Sequence, residues 1–171
     1  GTIEVESEKG KGSCFRVTLT HRIVPEEDQE PVKQKDPLTE KVNLTGKRIL
    51  LAEDNELNTE IAVAILENVG AMVEHAGDGI ECVNMLVEKE AGYYDMILMD
   101  IQMPNLNGYD AARRIRALED PVKAGIPIFA VTANAFEEDR KNALDAGMNG
   151  HLSKPIVLEE VVKTIARNLK R

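Results

Sequence analysis

The sequence is poor in several residue types, and each shortage argues against a class of protein. Among 171 residues there are no Trp, three Phe, three Tyr and only two Cys. Cys14 and Cys82 share no metal-binding spacing, so we expect neither a disulfide framework nor a zinc site, and a reducing cytoplasm as the location. No apolar stretch approaches the roughly 18 residues of a membrane span. Lys and Arg (21) are outnumbered by Asp and Glu (30), and the net charge of -9 argues against nucleic acid as a partner.

What the chain does contain is typical of a globular protein. Hydrophobic residues make up 43% of the sequence and charged residues 30%, which is an ordinary balance for such proteins. The length is enough for one domain with a packed core plus an appendage. The pattern of apolar and polar residues changes near residue 47. We therefore expect the appendage before this point and the packed domain after it.

The appendage, residues 1–21, has the pattern of a β-hairpin. Apolar and polar residues alternate on both sides of a Glu-Lys-Gly-Lys-Gly turn, as expected for two short paired strands. A hairpin alone is marginally stable in water, so this piece needs a larger body to pack on. Residues 22–46 hold three prolines and many charges without an apolar period, and we predict a linker there.

Residues 47–171 alternate short apolar runs with amphipathic stretches, which predicts five β-then-α units in a row. Such units form a parallel sheet with helices on both faces, that is, a doubly wound α/β domain. We expect the first helix to bury Leu57, Ile61 and Ile65. The fourth helix is mostly charged or polar, so we expect it to pack only weakly against the core. The predicted strands cover 47–52, 71–76, 94–99, 126–131 and 149–152, and the predicted helices 56–69, 79–90, 108–118, 135–146 and 156–169.

Polar side chains gather where the predicted strands end. The first strand leads into Glu53 and Asp54, and the third into Asp100; Thr132 follows the fourth strand and Lys154 the fifth. In the strand order 2-1-3-4-5 of flavodoxin-like sheets, the first and third strands are neighbours, and ligands bind beyond the carboxyl ends of the strands. Three carboxylates, a hydroxyl and an ammonium are therefore expected to share one edge.

Three carboxylates at one edge repel one another. At about 4 Å a pair of like charges costs roughly 1 kcal/mol in water and roughly 4 kcal/mol at an effective dielectric constant near 20. Such a cluster either raises a pKa or holds a cation, and oxygen ligands without His or Cys favour Mg²⁺ over zinc. With Mg²⁺ and Lys154 offsetting the charge, a carboxylate here can meet a phosphoryl group and take it as an acyl phosphate.

Four segments in this order resemble the receiver domain of two-component response regulators: LLAEDNELN, YDMILMDIQMPNLNG, PIFAVTANAF and GMNGHLSKPI. The likeness covers about residues 47–170 and is closest to receivers attached to hybrid sensor histidine kinases. It implies that Asp100 is the phosphoacceptor, which attacks the phosphoimidazole of a donor histidine. It also implies that Asp54, Asp100 and the backbone carbonyl of Gln102 ligate Mg²⁺ directly, and that Glu53 acts through water.

The same resemblance implies a switch and a set of partners. Lys154 would pair with the phosphoryl oxygens, and Thr132 would turn to hydrogen-bond the phosphoryl group. His151 stands where the family usually has Tyr or Phe, so it weakens the inference of an aromatic rotamer switch at that position. The expected partners are a histidine-kinase phosphodonor domain and a histidine phosphotransfer domain, with no direct membrane contact, even where the parent kinase is membrane-anchored.

The start of the chain resembles a second family. GTIEVESEKGKGSCFRVTL is similar to the closing strands of a histidine-kinase ATPase domain, whose Asn-bearing helix and Gly-rich lid do not occur in this chain. The resemblance implies that residues 1–21 are the last hairpin of an ATPase domain, 22–46 a linker and 47–171 the receiver of a hybrid histidine kinase. For this chain alone we expect no enzyme activity beyond slow loss of its own phosphoryl group.

Three other functions fit parts of the pattern. A haloacid-dehalogenase-like phosphatase also uses an Asp nucleophile at a strand end, but it needs a second acid two residues later, where this chain has Gln102. A flavodoxin-like FMN binder needs a phosphate-cradling loop after the first strand, where this chain has Glu53 and Asp54. A stand-alone regulator would carry an output domain, and this chain shows no DNA-binding motif.

Overall fold

The computed structural model describes residues 1–20, 44–132, 137–154, 156–157, 160–161 and 164. The chain divides into two compact units, Gly1–Leu38 and Thr39–Arg171. Residues 22–43 of the predicted linker and most of the predicted last helix, 156–169, lie outside the described residues. In the part of the chain that is described, no helix combines the length and the hydrophobicity needed to cross a membrane.

The first unit contains the predicted hairpin. Strands β1 (Thr2–Glu8) and β2 (Gly12–Thr18) pair antiparallel. Ile3 lies opposite Val17 and Val5 opposite Phe15, so all four side chains share one face. Gly10 and Gly12 in the turn have φ of 88° and 104°, a region that glycine enters without a steric cost. The shared apolar face is exposed within this unit, with Phe15 at 67% and Ile3 at 69%.

The second unit is built on a parallel sheet of five strands in the order β4-β3-β5-β6-β7. Counted within the unit, this is the predicted order 2-1-3-4-5, and the prediction of a doubly wound sheet is confirmed. The central strand β5 is buried along its whole length, as its run of Met, Ile and Leu predicts. The strands are β3 (Arg48–Ala52), β4 (Met72–Ala76), β5 (Met96–Asp100), β6 (Ile128–Thr132) and β7 (Gly150–Ser153).

Helices cover both faces of this sheet and close two apolar cores. On one face Cys82, Leu86 and Ile115 pack with residues of β5 and β6; on the other, Leu66 packs with Leu51 and other residues of the strands. The helices are α1 (Glu56–Glu67), α2 (Gly79–Glu88), α3 (Gly108–Arg116), the short α4 (Pro121–Ala124) and α5 (Glu137–Asp145).

The buried face of α1 differs from the prediction. Ala62 and Leu66 are buried, whereas Leu57 and Ile61 are 64% and 42% exposed. Apolar residues cover more than half of this helix, so periodicity alone does not decide which stripe faces the sheet. An apolar stripe is therefore left on the surface beside the first strand end.

Two further features were not predicted. Helix α4 is a single turn that begins with Pro121, and its N-cap Asp120 accepts hydrogen bonds from the N–H groups of Val122 and Lys123. Leu44, inside the predicted linker, is buried in the core of the second unit, and its N–H donates to the Val69 carbonyl at 2.8 Å. The packed unit therefore includes residues ahead of Lys47.

Candidate functional site

Three carboxylates converge at the carboxyl ends of the two central strands. Strand β3 pairs with β5, and Ala52 lies opposite Met99, so Glu53 and Asp54 follow β3 at the level of Asp100. One oxygen from each of the three carboxylates lies within 4.8 Å of the others. Glu53 and Asp100 are buried, at 2% and 5% exposure, whereas Asp54 is exposed. The structure thus brings together the three acids that the strand ends predict.

Lys154 joins two of these acids. Its Nζ lies 2.8 Å from Asp100 Oδ2, 2.8 Å from Glu53 Oε2 and 3.0 Å from Glu53 Oε1. Its backbone N–H donates to the Thr132 carbonyl at 2.8 Å, which fixes the chain just after β7. The predicted contact between the ammonium and the acidic cluster is therefore present.

The charges of the site are unbalanced, because one ammonium faces three carboxylates. Burial raises the pKa of Asp100 above its usual value, the nearby Glu53 charge adds to this, and the hydrogen bond and charge of Lys154 oppose it. For Lys154 burial lowers the pKa, but its bonds to Asp100 and Glu53 outweigh that effect and raise it. Lys154 is therefore protonated at neutral pH. Its single positive charge is outnumbered by the carboxylates, so a further positive charge would be favourable in the site.

Glu53 is held at both its carboxylate and its backbone. Asn58 Nδ2, in the first turn of α1, donates to Glu53 Oε1 at 2.8 Å. His75 Nε2, on β4, lies 2.7 Å from the Glu53 carbonyl oxygen; since a carbonyl only accepts, Nε2 must carry the proton. Neither Asn58 nor His75 is among the predicted site residues. The available signal was the position of Asn58 in the turn after the acidic pair.

The loop after β5 is fixed close to Asp100. The Gln102 N–H donates to Asp100 Oδ1 at 3.3 Å, and the Gln102 side chain is exposed. Asn105 has φ of 60° and its Nδ2 donates to Asp78 Oδ2, 2.7 Å away, at the N-cap of α2. At Gly108 a Cβ would collide with the Asp100 carbonyl oxygen, so only glycine lets α3 begin this close to the strand end.

The two residues of the predicted switch lie on β6 and on the edge strand β7. Thr132 ends β6, which pairs with β5 so that Asp100 lies opposite Val131; it is half-buried and at the same edge as the acids. His151 lies on β7 opposite Ala130 and is half-buried. The placement of Thr132 agrees with the strand-end argument, and the roles of both residues stay predictions.

The donor set of this site fits a hard divalent cation. Every side-chain ligand in the cluster is a carboxylate oxygen, and Mg²⁺ prefers such ligands together with water and phosphate oxygens. Burial is the main cause of the raised pKa of Asp100, and the charge of Glu53 adds to it; one cation would offset that negative charge. The exposed Asp54 leaves the cluster open on one side.

Comparisons with known proteins agree with this geometry. The family model described as "Response regulator receiver domain" matches residues 49–166. The chain is 41% identical to the receiver domain of sensor histidine kinase PA1611 from Pseudomonas aeruginosa PAO1, covering 74% of this chain and all of that one, with a TM-score of 0.66. The structure of that relative has a magnesium ion coordinated in its active site cleft.

Three further relatives extend the comparison. The receiver domain of Ssk1 from Saccharomyces cerevisiae, solved with the histidine phosphotransfer signaling protein Ypd1, is 32% identical, with 71% of this chain and 88% of that chain covered and a TM-score of 0.64. The aerobic respiration control sensor protein ArcB of Escherichia coli is 35% identical over 167 residues, which is 98% of this chain. The chain spans 20% of ArcB and 10% of hybrid signal transduction histidine kinase L of Dictyostelium discoideum.

Proposed function

The chain belongs to the response regulator receiver domain family, the phosphorylated signalling modules of two-component systems, and we propose that Asp100 is the residue that accepts the phosphoryl group. The observation that supports this is the position of its carboxylate. It lies at the carboxyl end of the central strand, 2.8 Å from the Lys154 ammonium and beside Glu53 and Asp54. A carboxylate that already faces a cation can approach an anionic phosphoryl group with less repulsion.

The reaction we propose is a transfer from a phosphohistidine. A carboxylate oxygen of Asp100 attacks the phosphorus, an O–P bond forms, and the N–P bond to the imidazole breaks. The electron pair of that bond returns to the imidazole nitrogen, and the product is an acyl phosphate on Asp100. Lys154, already in contact with Asp100, is placed to pair with the phosphoryl oxygens as negative charge gathers on them.

We propose that Mg²⁺ supports this reaction, held by Asp54, Asp100 and the backbone carbonyl of Gln102, with Glu53 acting through water. Bound there, the ion supplies charge neutralisation for the anionic phosphoryl group. The magnesium ion in the Pseudomonas aeruginosa receiver, at 41% identity, supports the choice of metal.

The switch we propose runs through Thr132 to α5. Thr132 would hydrogen-bond the phosphoryl group; such a bond to a charged oxygen is worth roughly 1.5–3 kcal/mol, enough to shift a two-state equilibrium by at least about tenfold. Helix α5 follows Thr132 in the chain, and its last turn offers little apolar surface to the core: Ala143 is buried, while Leu144 is 51% exposed. The side chain of His151, on the neighbouring strand β7, would change its position together with Thr132.

The partners we propose are histidine-bearing domains that reach Asp100 from the side of α1. The stripe of Leu57 and Ile61 is exposed in the helix that begins just after Glu53 and Asp54, so an apolar surface adjoins the open side of the site. The co-crystal structure of Ypd1 with the Ssk1 receiver supports a histidine phosphotransfer protein as one partner. A histidine-kinase phosphodonor domain is the other, since ArcB matches 98% of this chain.

We propose further that the chain is a segment of a hybrid histidine kinase. Residues 1–21, which belong to the first unit, would be the last hairpin of the ATPase domain, and their exposed apolar face would pack on the rest of that domain. Residues 22–46 would link it to the receiver. Because a histidine kinase draws its phosphoryl group from ATP, we place the receiver in the cytoplasm.

A mass measurement tests the central proposal. The chain is incubated with Mg²⁺ and a small phosphodonor such as acetyl phosphate, and the intact mass is followed. We expect a gain of one phosphoryl group that Asp100→Asn abolishes and that hydroxylamine removes. Asp110→Asn, which changes an exposed acid on α3, is the matched control and should keep the gain. A gain that persists in Asp100→Asn would show that another residue is phosphorylated.

A further inference from the structure

Glu53 depends on two donors from different parts of the fold. Among the described residues, its carboxylate accepts from Lys154, which follows β7, and from Asn58, in the first turn of α1. We propose that Asn58 is a positioning residue that keeps Glu53 oriented toward the metal site when Lys154 turns to a phosphoryl group. This inference rests on the proposed function and adds to it a residue outside the acidic cluster.

The local geometry makes Asn58 a fixed donor. Its backbone N–H donates to Oδ1 of the N-cap Asn55 at 3.1 Å, so the first turn of α1 sets the position of its Cα. Its side chain points back to Glu53 Oε1 at 2.8 Å. Since an ionised carboxylate can only accept, the amide nitrogen must face it. The bond is neutral on the donor side, so it persists when charges rearrange nearby.

Lys154 is a shared donor, in contrast. Its ammonium lies 2.8 Å from Asp100 Oδ2 and 2.8 Å from Glu53 Oε2. A phosphoryl group on Asp100 would add negative charge on the Asp100 side and draw the ammonium there. Glu53, which is only 2% exposed, would then keep Asn58 as its side-chain donor. Without that donor a buried carboxylate turns toward other donors, and its loss of orientation weakens a cation site.

The test is a Mg²⁺ titration of the full chain in the presence of excess beryllofluoride, a mimic of the phosphoryl group on Asp100. Binding is followed by the NMR shifts of the amides around Asp100. We expect Asn58→Ala to raise the Mg²⁺ dissociation constant about tenfold, the factor that corresponds to 1.4 kcal/mol. Asn84→Ala removes an exposed amide from α2 and should leave it unchanged. In a Glu53→Ala background the effect of Asn58→Ala should disappear, because Asn58 acts only through Glu53. Equal affinity in wild type and Asn58→Ala, or an undiminished loss without Glu53, would overturn the proposal.

The same experiment distinguishes a failure of the positioning role of Asn58 from a failure of the proposed function. If the wild-type chain neither binds Mg²⁺ at these residues nor accepts a phosphoryl group, the proposed function is wrong. If it does both and Asn58→Ala matches it, only the positioning role is wrong. Ala has the highest helix propensity, so α1 should form in the variant. A loss of folding in both Asn58→Ala and Asn58→Ser would show a structural role instead and count against the proposal.

Discussion

Replacing Lys154 by Met is expected to destabilise the metal-free domain strongly. The Lys154 side chain is 20% exposed, and its two partners Glu53 and Asp100 are only 3% and 6% exposed. Removing one partner of a buried ion pair typically costs 3–5 kcal/mol, because a buried charge is left uncompensated. Lys154 is partly solvated, so we take the lower end and expect a loss of about 3 kcal/mol in the free energy of unfolding.

Lys47→Met is the matched control for this prediction. Lys47 Nζ lies 2.7 Å from Asp95 Oδ1, as short a contact as those of Lys154, but the two side chains are 38% and 25% exposed. Ion pairs near the surface contribute about 0–1 kcal/mol, so this change should cost less than 1 kcal/mol. Burial, and not distance, therefore separates the two expectations.

Urea unfolding at pH 7 with and without Mg²⁺ measures both variants. Lys154→Met leaves three carboxylates without their ammonium, so Mg²⁺ should stabilise it by more than it stabilises wild type. At a concentration one hundred times the dissociation constant, a bound ligand adds about 2.7 kcal/mol. Equal losses in the two Lys variants, or a Mg²⁺ response that does not grow in Lys154→Met, would refute the view of the site as a buried excess of negative charge.

Three further predictions concern the surroundings of the site. The pKa of Asp100 is raised in the folded state, chiefly by burial, so the ionised carboxylate lowers the stability at neutral pH. Without Mg²⁺, the stability of wild type relative to Asp100→Asn should therefore rise as the pH falls through that raised pKa toward the ordinary value of 3.8. Parallel pH profiles for the two proteins would contradict this. Arg116 donates to the carbonyls of Gly147, Ala124 and Ile126 at 2.6–2.8 Å. Arg116→Ala should therefore lower the free energy of unfolding, measured by urea titration, by about 3 kcal/mol, at least the value of one or two charged hydrogen bonds. A loss below 1 kcal/mol would be too small for such a role. Asn105→Ala should cost more stability than Asn105→Gly in thermal unfolding. Both variants lose the bond to Asp78, but φ of 60° is strained for alanine and free for glycine. The reverse order would contradict backbone strain at this position.

The fold could be predicted because its strands carry a strong local signal. The run from Met96 to Met99 has no polar side chain, as a strand covered on both faces requires, and the observed β5 is buried throughout. The acids of the site followed from topology: once parallel strands are assigned, whatever follows them must meet at one edge. Glu53, Asp54, Asp100 and Lys154 were placed in this way, and the structure brings them together.

Other features depend on contacts that no local pattern encodes. The buried stripe of α1, Ala62 and Leu66, is not singled out by the apolar pattern of the helix. The bonds of Asn55 and Asn58 in its first turn join residues that look like ordinary surface positions in sequence. His75 touches the Glu53 carbonyl only because β4 pairs with β3. Arg116 looks like an exposed helix residue in sequence, yet its guanidinium contacts the carbonyls of Ala124 and Ile126, 8 and 10 residues further on, and of Gly147, 31 residues further on. Such long-range polar contacts become visible only in three dimensions.

The most direct test of Asp100 as the phosphoacceptor is chemical identification of the modified residue. After incubation with Mg²⁺ and acetyl phosphate, borohydride reduces an acyl phosphate of aspartate to homoserine, and peptide sequencing by mass spectrometry locates it. We predict homoserine at residue 100 and unmodified acids at 53 and 54. Homoserine at another position, or a phosphoryl group on a histidine of this chain, would contradict the assignment.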